Sequence, residues 1–250
     1  MNASLPDRAS ALRLIERNIA THGWHLYAVL GGPIPRFSYT IGLLEKTGFE
    51  LVFAGGYFYS FDDIPRIVNG CGDALLRGAA LEFESESVPG TFTFTLGNVR
   101  AEWSKALLLG ANDWYGHTVH ARQIIPEAPY LTRDVPDMSL PASHEKNAVW
   151  VSLFCENQND MPEDTKVLTD LGFLRGAPAT HVIKYEEGQW DCYSQDPRDM
   201  DDDAFRTVPL GVVLALEPSL RRLCEGMADK SALARDAAGH WRAWDGVDFE

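Results

Sequence analysis

The stretch PEAPYLTRDVPDMSLPASHE, residues 126–145, decides how the chain divides. It holds four prolines, Pro126, Pro129, Pro136 and Pro141, and no sustained apolar periodicity. Proline fixes φ and removes a backbone donor, so this density forbids a long helix or a central strand. The stretch reads as a linker. The predicted fold is α+β with two domains, residues 1–138 and 139–250, each a mostly antiparallel or mixed sheet with packed helices.

Working back toward the N-terminus, Ala121 to Ile125 lies in a short predicted strand that begins at His120. Trp103 to Leu109 reads as a helix, followed by a loop, ANDWYGHT. The alternation of Leu81 to Ser87 and of Thr91 to Leu96 across Pro89-Gly90 predicts a hairpin. It places Glu82, Glu84 and Glu86 on one face. Asp62 or Asp63 can open a helix whose Ile64, Ile67, Val68, Cys71 and Leu75 recur at helical spacing. Leu51-Val52-Phe53 reads as a buried strand. Residues 24–30 and 37–41 pair as a hairpin over the Gly31-Gly32-Pro33 turn. Residues 6–20 form a helix, with Pro6 in its first turn and Leu12, Ile15 and Ile19 on one face.

Working forward, Val149 to Phe154 is a near-continuous apolar run and is expected to be a strand covered on both faces. Asp160 and Pro162 signal a helix running to Leu171, with Val167, Leu168 and Leu171 inward. His181 to Tyr185 and Gln189 to Tyr193 read as a hairpin. On its second strand Trp190 and Cys192 share one face, and Asp191 and Tyr193 share the other, expected wet, face. Val208 to Leu216 reads as a strand and Pro218 to Cys224 as a short helix before Gly226.

The chain has 250 residues and a net charge of −14. Residues 1–140 carry 11 Lys/Arg against 15 Asp/Glu, and residues 141–250 carry 11 against 21. This balance argues against nucleic acid or an anionic membrane as a partner, since both demand cations. No apolar run approaches the ~20 residues of a membrane span, and no signal-peptide pattern is visible at the start. Cys71, Cys155, Cys192 and Cys224 are far apart and form no CxxC, which suits free thiols in a reducing cytoplasm.

The strongest charge feature is EEGQWDCYSQDPRDMDDD, residues 186–203, with eight carboxylates against one cation, Arg198. Such a block repels itself unless it is solvated or meets a positive partner. It reads either as a solvated loop or as a docking surface for a basic protein. On the second reading Trp190 and Tyr193 are candidate anchors, with a place in the core as the alternative for Trp190. Glu186, Glu187, Asp191, Asp196, Asp199, Asp201, Asp202 and Asp203 supply the field. Glu82, Glu84 and Glu86 form a second patch.

Catalytic patterns are sparse. The chain has no G-x-S-x-G, no P-loop and no GxGxxG. Two HxxH pairs, His22/His25 and His117/His120, leave open a metal-dependent enzyme. They lack the HExxH spacing, and ordinary structural histidines are the alternative. The expectation is a non-enzyme with no metal and no cofactor.

Two resemblances bear on function. His22-Gly23-Trp24-His25 followed by Phe37-Ser38-Tyr39-Thr40-Ile41-Gly42-Leu43 resembles a bacterial family whose function is unknown, over residues 8–130. It brings no chemistry with it. The segment from Trp190 to Gly226 is similar to a family of immunity proteins from bacterial polymorphic-toxin systems. It carries that family's tryptophan (Trp190), its acidic stretch (Asp201 to Asp203), Leu210-Gly211-Val212-Val213-Leu214 and Pro218-Ser219-Leu220. This resemblance implies a cytoplasmic protein that neutralises a secreted antibacterial toxin. The acidic bias then implies a basic nuclease effector of type VI or contact-dependent secretion, bound as a heterodimer over its cationic cleft.

Overall fold

The computed structural model describes residues 8–32, 34–85, 90–154, 165–186 and 188–249. Pro6, Pro33, Glu86, Pro89, Cys155, Asp160, Pro162 and Glu187 therefore lie outside the described residues. The fold is α+β, with two six-stranded mixed sheets in sequence.

The first sheet is built from β1 (His25–Val29), β2 (Phe37–Ile41), β3 (Glu50–Ala54), β4 (Glu82–Glu84), β5 (Thr91–Asn98) and β6 (Ala121–Pro126), in the order β1-β2-β3-β6-β5-β4. Only β3 and β6 are parallel, and the β1–β2 hairpin pairs Tyr27 with Tyr39. Every residue of β3 is buried, because helices cover both faces of the sheet. Val52 and Ala54 face a core with α1 (Arg8–His22), α4 (Ala101–Leu107) and α5 (Leu109–Tyr115). Leu51 and Phe53 face a second core with α3 (Asp63–Arg77), through Ile64, Ile67, Val68 and Cys71. A four-residue helix, α2 (Leu44–Thr47), links β2 to β3. The segment ANDWYGHT is not a loop throughout, since its first five residues belong to α5. Asn112 steadies that helix by donating to Ser104 O at 2.8 Å and accepting from Val119 N at 2.9 Å.

The second sheet comprises β7 (Lys166–Asp170), β8 (His181–Lys184), β9 (Gln189–Tyr193), β10 (Phe205–Pro209), β11 (Ser231–Arg235) and β12 (Trp241–Ala243), in the order β10-β7-β9-β8-β11-β12. Its single parallel pair is β7–β9. Three expectations fail here. Val149 to Phe154 is not a strand; it belongs to a 3-10 helix, Glu145–Leu153. A short apolar run fits either state, and here the run sinks Trp150 between the sheets. Residues 166–170 are strand, not helix, with Val167 and Thr169 inward. The helix begins only at α6 (Leu171–Leu174), where the Asp170 carboxylate accepts from Phe173 N at 3.0 Å. The run 208–216 is split at Pro209 into the end of β10 and α7 (Leu210–Leu216), with α8 (Leu220–Gly226) following.

The proline-rich stretch 126–145 is irregular, as its composition requires, yet it is packed. Thr132, Asp134, Met138 and Ala142 are buried. Trp150, with no exposed surface, donates from Nε1 to Asp134 O at 2.7 Å. One apolar cluster joins Phe37, Tyr39 and Trp103 of the first half to Trp150 and then to Val167, Val182, Trp190 and α7 of the second. The inner faces of both sheets thus share one core.

Candidate functional site

The acidic region lies at one end of β9 and continues into β10. Asp196 accepts four hydrogen bonds from Arg198, one from the backbone N and three from the guanidinium, including one from Nη2 at 2.6 Å, and this pairing holds its carboxyl down at about 2. Arg198 also stacks 5.1 Å from the ring of Trp244, so the turn is fastened to the C-terminal tail. Beyond it, two 3-10 turns, Pro197–Asp199 and Asp202–Ala204, present Asp199, Asp201, Asp202 and Asp203 to solvent. None of the four makes a salt bridge among the described residues. Glu186 is exposed at the β8–β9 turn, and Glu187 lies outside the described residues.

The expected anchors are not on this surface. Trp190 is 8% exposed and packs with Val167, Val182 and α7 in the shared core. Tyr193 is 3% exposed. The face it shares with Asp191 is covered, not wet, because Met200, Phe205, Trp244, Val247 and Phe249 close over it. Met200 and Phe205 follow soon after β9, but Trp244, Val247 and Phe249 come from the far end of the chain, so strand alternation alone could not reveal the cover. Asp191 is correspondingly internal to this face. It accepts from Tyr185 Oη and Tyr193 Oη, both at 2.8 Å, and burial raises its carboxyl above the usual range. Trp244, half-buried beside Arg198, is the aromatic that borders the acidic turns. In the second patch, Glu82 and Glu84 are exposed on either side of buried Phe83, as alternation predicts, and Glu86 is outside the described residues.

The four histidines do not converge. His25 is buried on β1, with Nδ1 2.8 Å from Asn18 Nδ2, and burial lowers its pKa. His22 is exposed at the end of α1, and His117 and His120 are exposed ahead of β6. β2 and β3 stand between β1 and β6. No cluster of three or more His, Cys, Asp or Glu suited to a metal occurs among the described residues. Cys71, Cys192 and Cys224 are free and buried.

Sequence reading passed over Glu50, the best-satisfied buried carboxylate of the first half. It has no exposed surface and accepts five hydrogen bonds. Thr40 Oγ1 gives 2.6 Å, Gly42 N 2.8 Å, Leu43 N 3.3 Å, Leu44 N 3.1 Å and Tyr115 Oη 3.0 Å. The carboxylate gathers the backbone donors that open α2, where an anion is favoured. Thr40 also accepts from Leu51 N at 2.8 Å, locking β2 to β3. Gly42 sits at φ 104°, and a Cβ there would approach Ile19 Cγ1 to 2.9 Å. Thr40, Gly42 and Leu43 of the Tyr-Thr-Ile-Gly-Leu segment are therefore a cradle for Glu50. Trp24 of the His-Gly-Trp segment donates to Asn69 Oδ1 at 2.9 Å and packs on Gly72 of α3. Both segments hold the fold together. The available signal was an acidic residue heading an apolar strand, which must be matched by donors.

Residues 18–129 match the family model described as Domain of unknown function (DUF4262). A DUF4262 domain thus encloses all six strands of the first sheet, along with α2 to α5 and the end of α1. No curated protein and no solved structure matches the chain. No helix among the described residues is long and apolar enough to cross a membrane.

Proposed function

We propose that this protein is an immunity protein that binds and neutralises a secreted antibacterial toxin. Its partner is a basic nuclease effector of the type VI or contact-dependent kind, and the working surface is the pair of acidic turns from Asp196 to Asp203. The observation that carries the reading is the exposure of Asp199, Asp201, Asp202 and Asp203 with no salt bridge among the described residues. Four such carboxylates on short turns cost folding energy by repulsion, offset in part by the attraction of Asp199 to Arg198 and of Asp203 to Arg206. A cationic nuclease groove supplies the missing charge, and a field of this sign speeds encounter. The resemblance of residues 190–226 to immunity proteins supports the same class. Trp244, in place of Trp190 and Tyr193, is the aromatic group at the rim of this surface.

The test is co-expression with the nuclease toxin encoded beside the gene. Replacing Asp199, Asp201, Asp202 and Asp203 by Lys is expected to abolish protection while leaving the fold intact. A control reversal of Glu82 and Glu84 is expected to retain it. Full protection by the fourfold variant refutes the assignment.

A further inference from the structure

A second feature stands apart from the acidic turns: a cleft of about 430 Å³ between the two sheets. Arg36, Tyr57 and Phe61 line it from the first half, and Lys166, Thr207 and Val208 from the second. The volume falls in the range of small-molecule sites. In a chain of net charge −14, the described lining holds two cations and no carboxylate.

Arg36 is the unusual member. It is 7% exposed, and its guanidinium carbon lies 4.7 Å from the centroid of Tyr57. Nη2 donates to Gly56 O at 2.9 Å and to Tyr59 O at 2.6 Å, while the buried Nε has no partner. No carboxylate lies within salt-bridge distance of Arg36 among the described residues, but buried Asp134, which accepts from Tyr57 N at 3.3 Å, and buried Asp63 act on it electrostatically from farther away. Those two carboxylates offset part of the cost of burying the cation, while its Nε still has no hydrogen-bond partner. Lys166, exposed at the other wall, makes no salt bridge among the described residues. Around these charges the walls are apolar, with Phe61 43% and Leu30 69% exposed.

We propose that this cleft binds a small organic carboxylate, with its head between Arg36 and Lys166 and its apolar body against Phe61 and Val208. Arginine's planar edge suits a carboxylate. The exposed ring and leucine give an apolar body a reason to leave water. The site is independent of the acidic turns, so its fate does not bear on the toxin partner.

The experiment is an amide-resolved NMR titration of the full chain with benzoate and with benzyl alcohol, which keeps the ring and drops the charge. Benzoate is expected to shift the amides of Gly31, Gly32, Lys166 and Val208 along one saturating curve, and benzyl alcohol is not. Arg36 is left in place, because its Nη2 also holds the 56–59 turn. Thr207→Glu, at an exposed strand position, brings a like charge into the cleft and is expected to weaken benzoate by about tenfold. Lys166→Met is expected to weaken it by roughly threefold. The absence of a saturable benzoate shift, an equal response to benzyl alcohol, or wild-type affinity in either variant overturns the proposal.

Discussion

Glu50 and the row Asp199, Asp201, Asp202, Asp203 are the same chemistry in opposite settings. Glu50 heads a strand buried on both faces and receives five donors from β2, the start of α2 and Tyr115. The aspartates stand on or beside 3-10 turns in water, where Arg198 is held by Asp196 and Arg206 acts on Asp203 without a salt bridge. The role of a carboxylate is therefore set by the donors that converge on it, not by how many acids stand together in sequence. In the first sheet an acid organises the backbone. On the edge of the second sheet the acids stand exposed to solvent, which is what the proposed partner surface needs.

The sharpest way to break this contrast is Glu50→Ala. It strands several buried donors, each costing about 1–3 kcal/mol, so a loss of at least roughly 3 kcal/mol is expected in urea unfolding. Burial raises the Glu50 pKa above its ordinary 4.5 despite its hydrogen bonds. The folded state therefore holds this proton more tightly than the unfolded chain does. The Glu50 contribution to stability is expected to decline as pH rises from 4.5 through the raised folded value, and Glu50→Gln is expected to remove that slope. A slope that survives in Glu50→Gln assigns it to another group.

Asp170 is the second sheet's counterpart of Glu50. It is 3% exposed and accepts from Phe173 N, from Ser194 N at 2.6 Å and from Ser194 Oγ at 2.7 Å. Asp170→Ala is expected to cost about 2 kcal/mol, combining the loss of a helix cap with buried donors left unmatched. If the cost is near zero, the contrast between buried and exposed acids does not hold in this half.

The exposed row is expected to behave oppositely. Lysine at 199, 201, 202 and 203 should shift stability by no more than roughly 0.5 kcal/mol per site, and relief of repulsion offsets part of that. Smaller still is the effect of Arg198→Ala. NMR titration is expected to show the Asp196 carboxyl rising from about 2 toward 3.8, with little change in the unfolding midpoint at neutral pH. The sign is that of a depressed acid. The pair's contribution is present above 3.8 and is lost as pH falls through about 2.

Much of the first sheet was legible because its elements alternate or repeat cleanly. The β1–β2 hairpin, β3, the face of α3 and the exposed Glu82 and Glu84 follow from local pattern. The errors cluster where one apolar run serves two states. Residues 149–154 and 208–216 are rich in Val and Leu throughout, and only packing around Trp150 and the break at Pro209 decides them. The acidic surface was legible from charge alone, but its aromatic neighbour was not. Trp190 and Tyr193 are interior because distant segments cover them, whereas Trp244 reaches the acidic turns from the far end of the chain. Glu50 and Arg36 stayed hidden for a related reason: their partners lie on other elements.

The most direct measurement is the affinity of the full chain for the proposed partner, a basic nuclease toxin, taken across a salt series, with the fourfold lysine variant in parallel. An electrostatic working surface requires affinity that falls steeply as salt rises, and binding that is lost in the variant. Affinity indifferent to salt, or retained with lysine at 199, 201, 202 and 203, contradicts it.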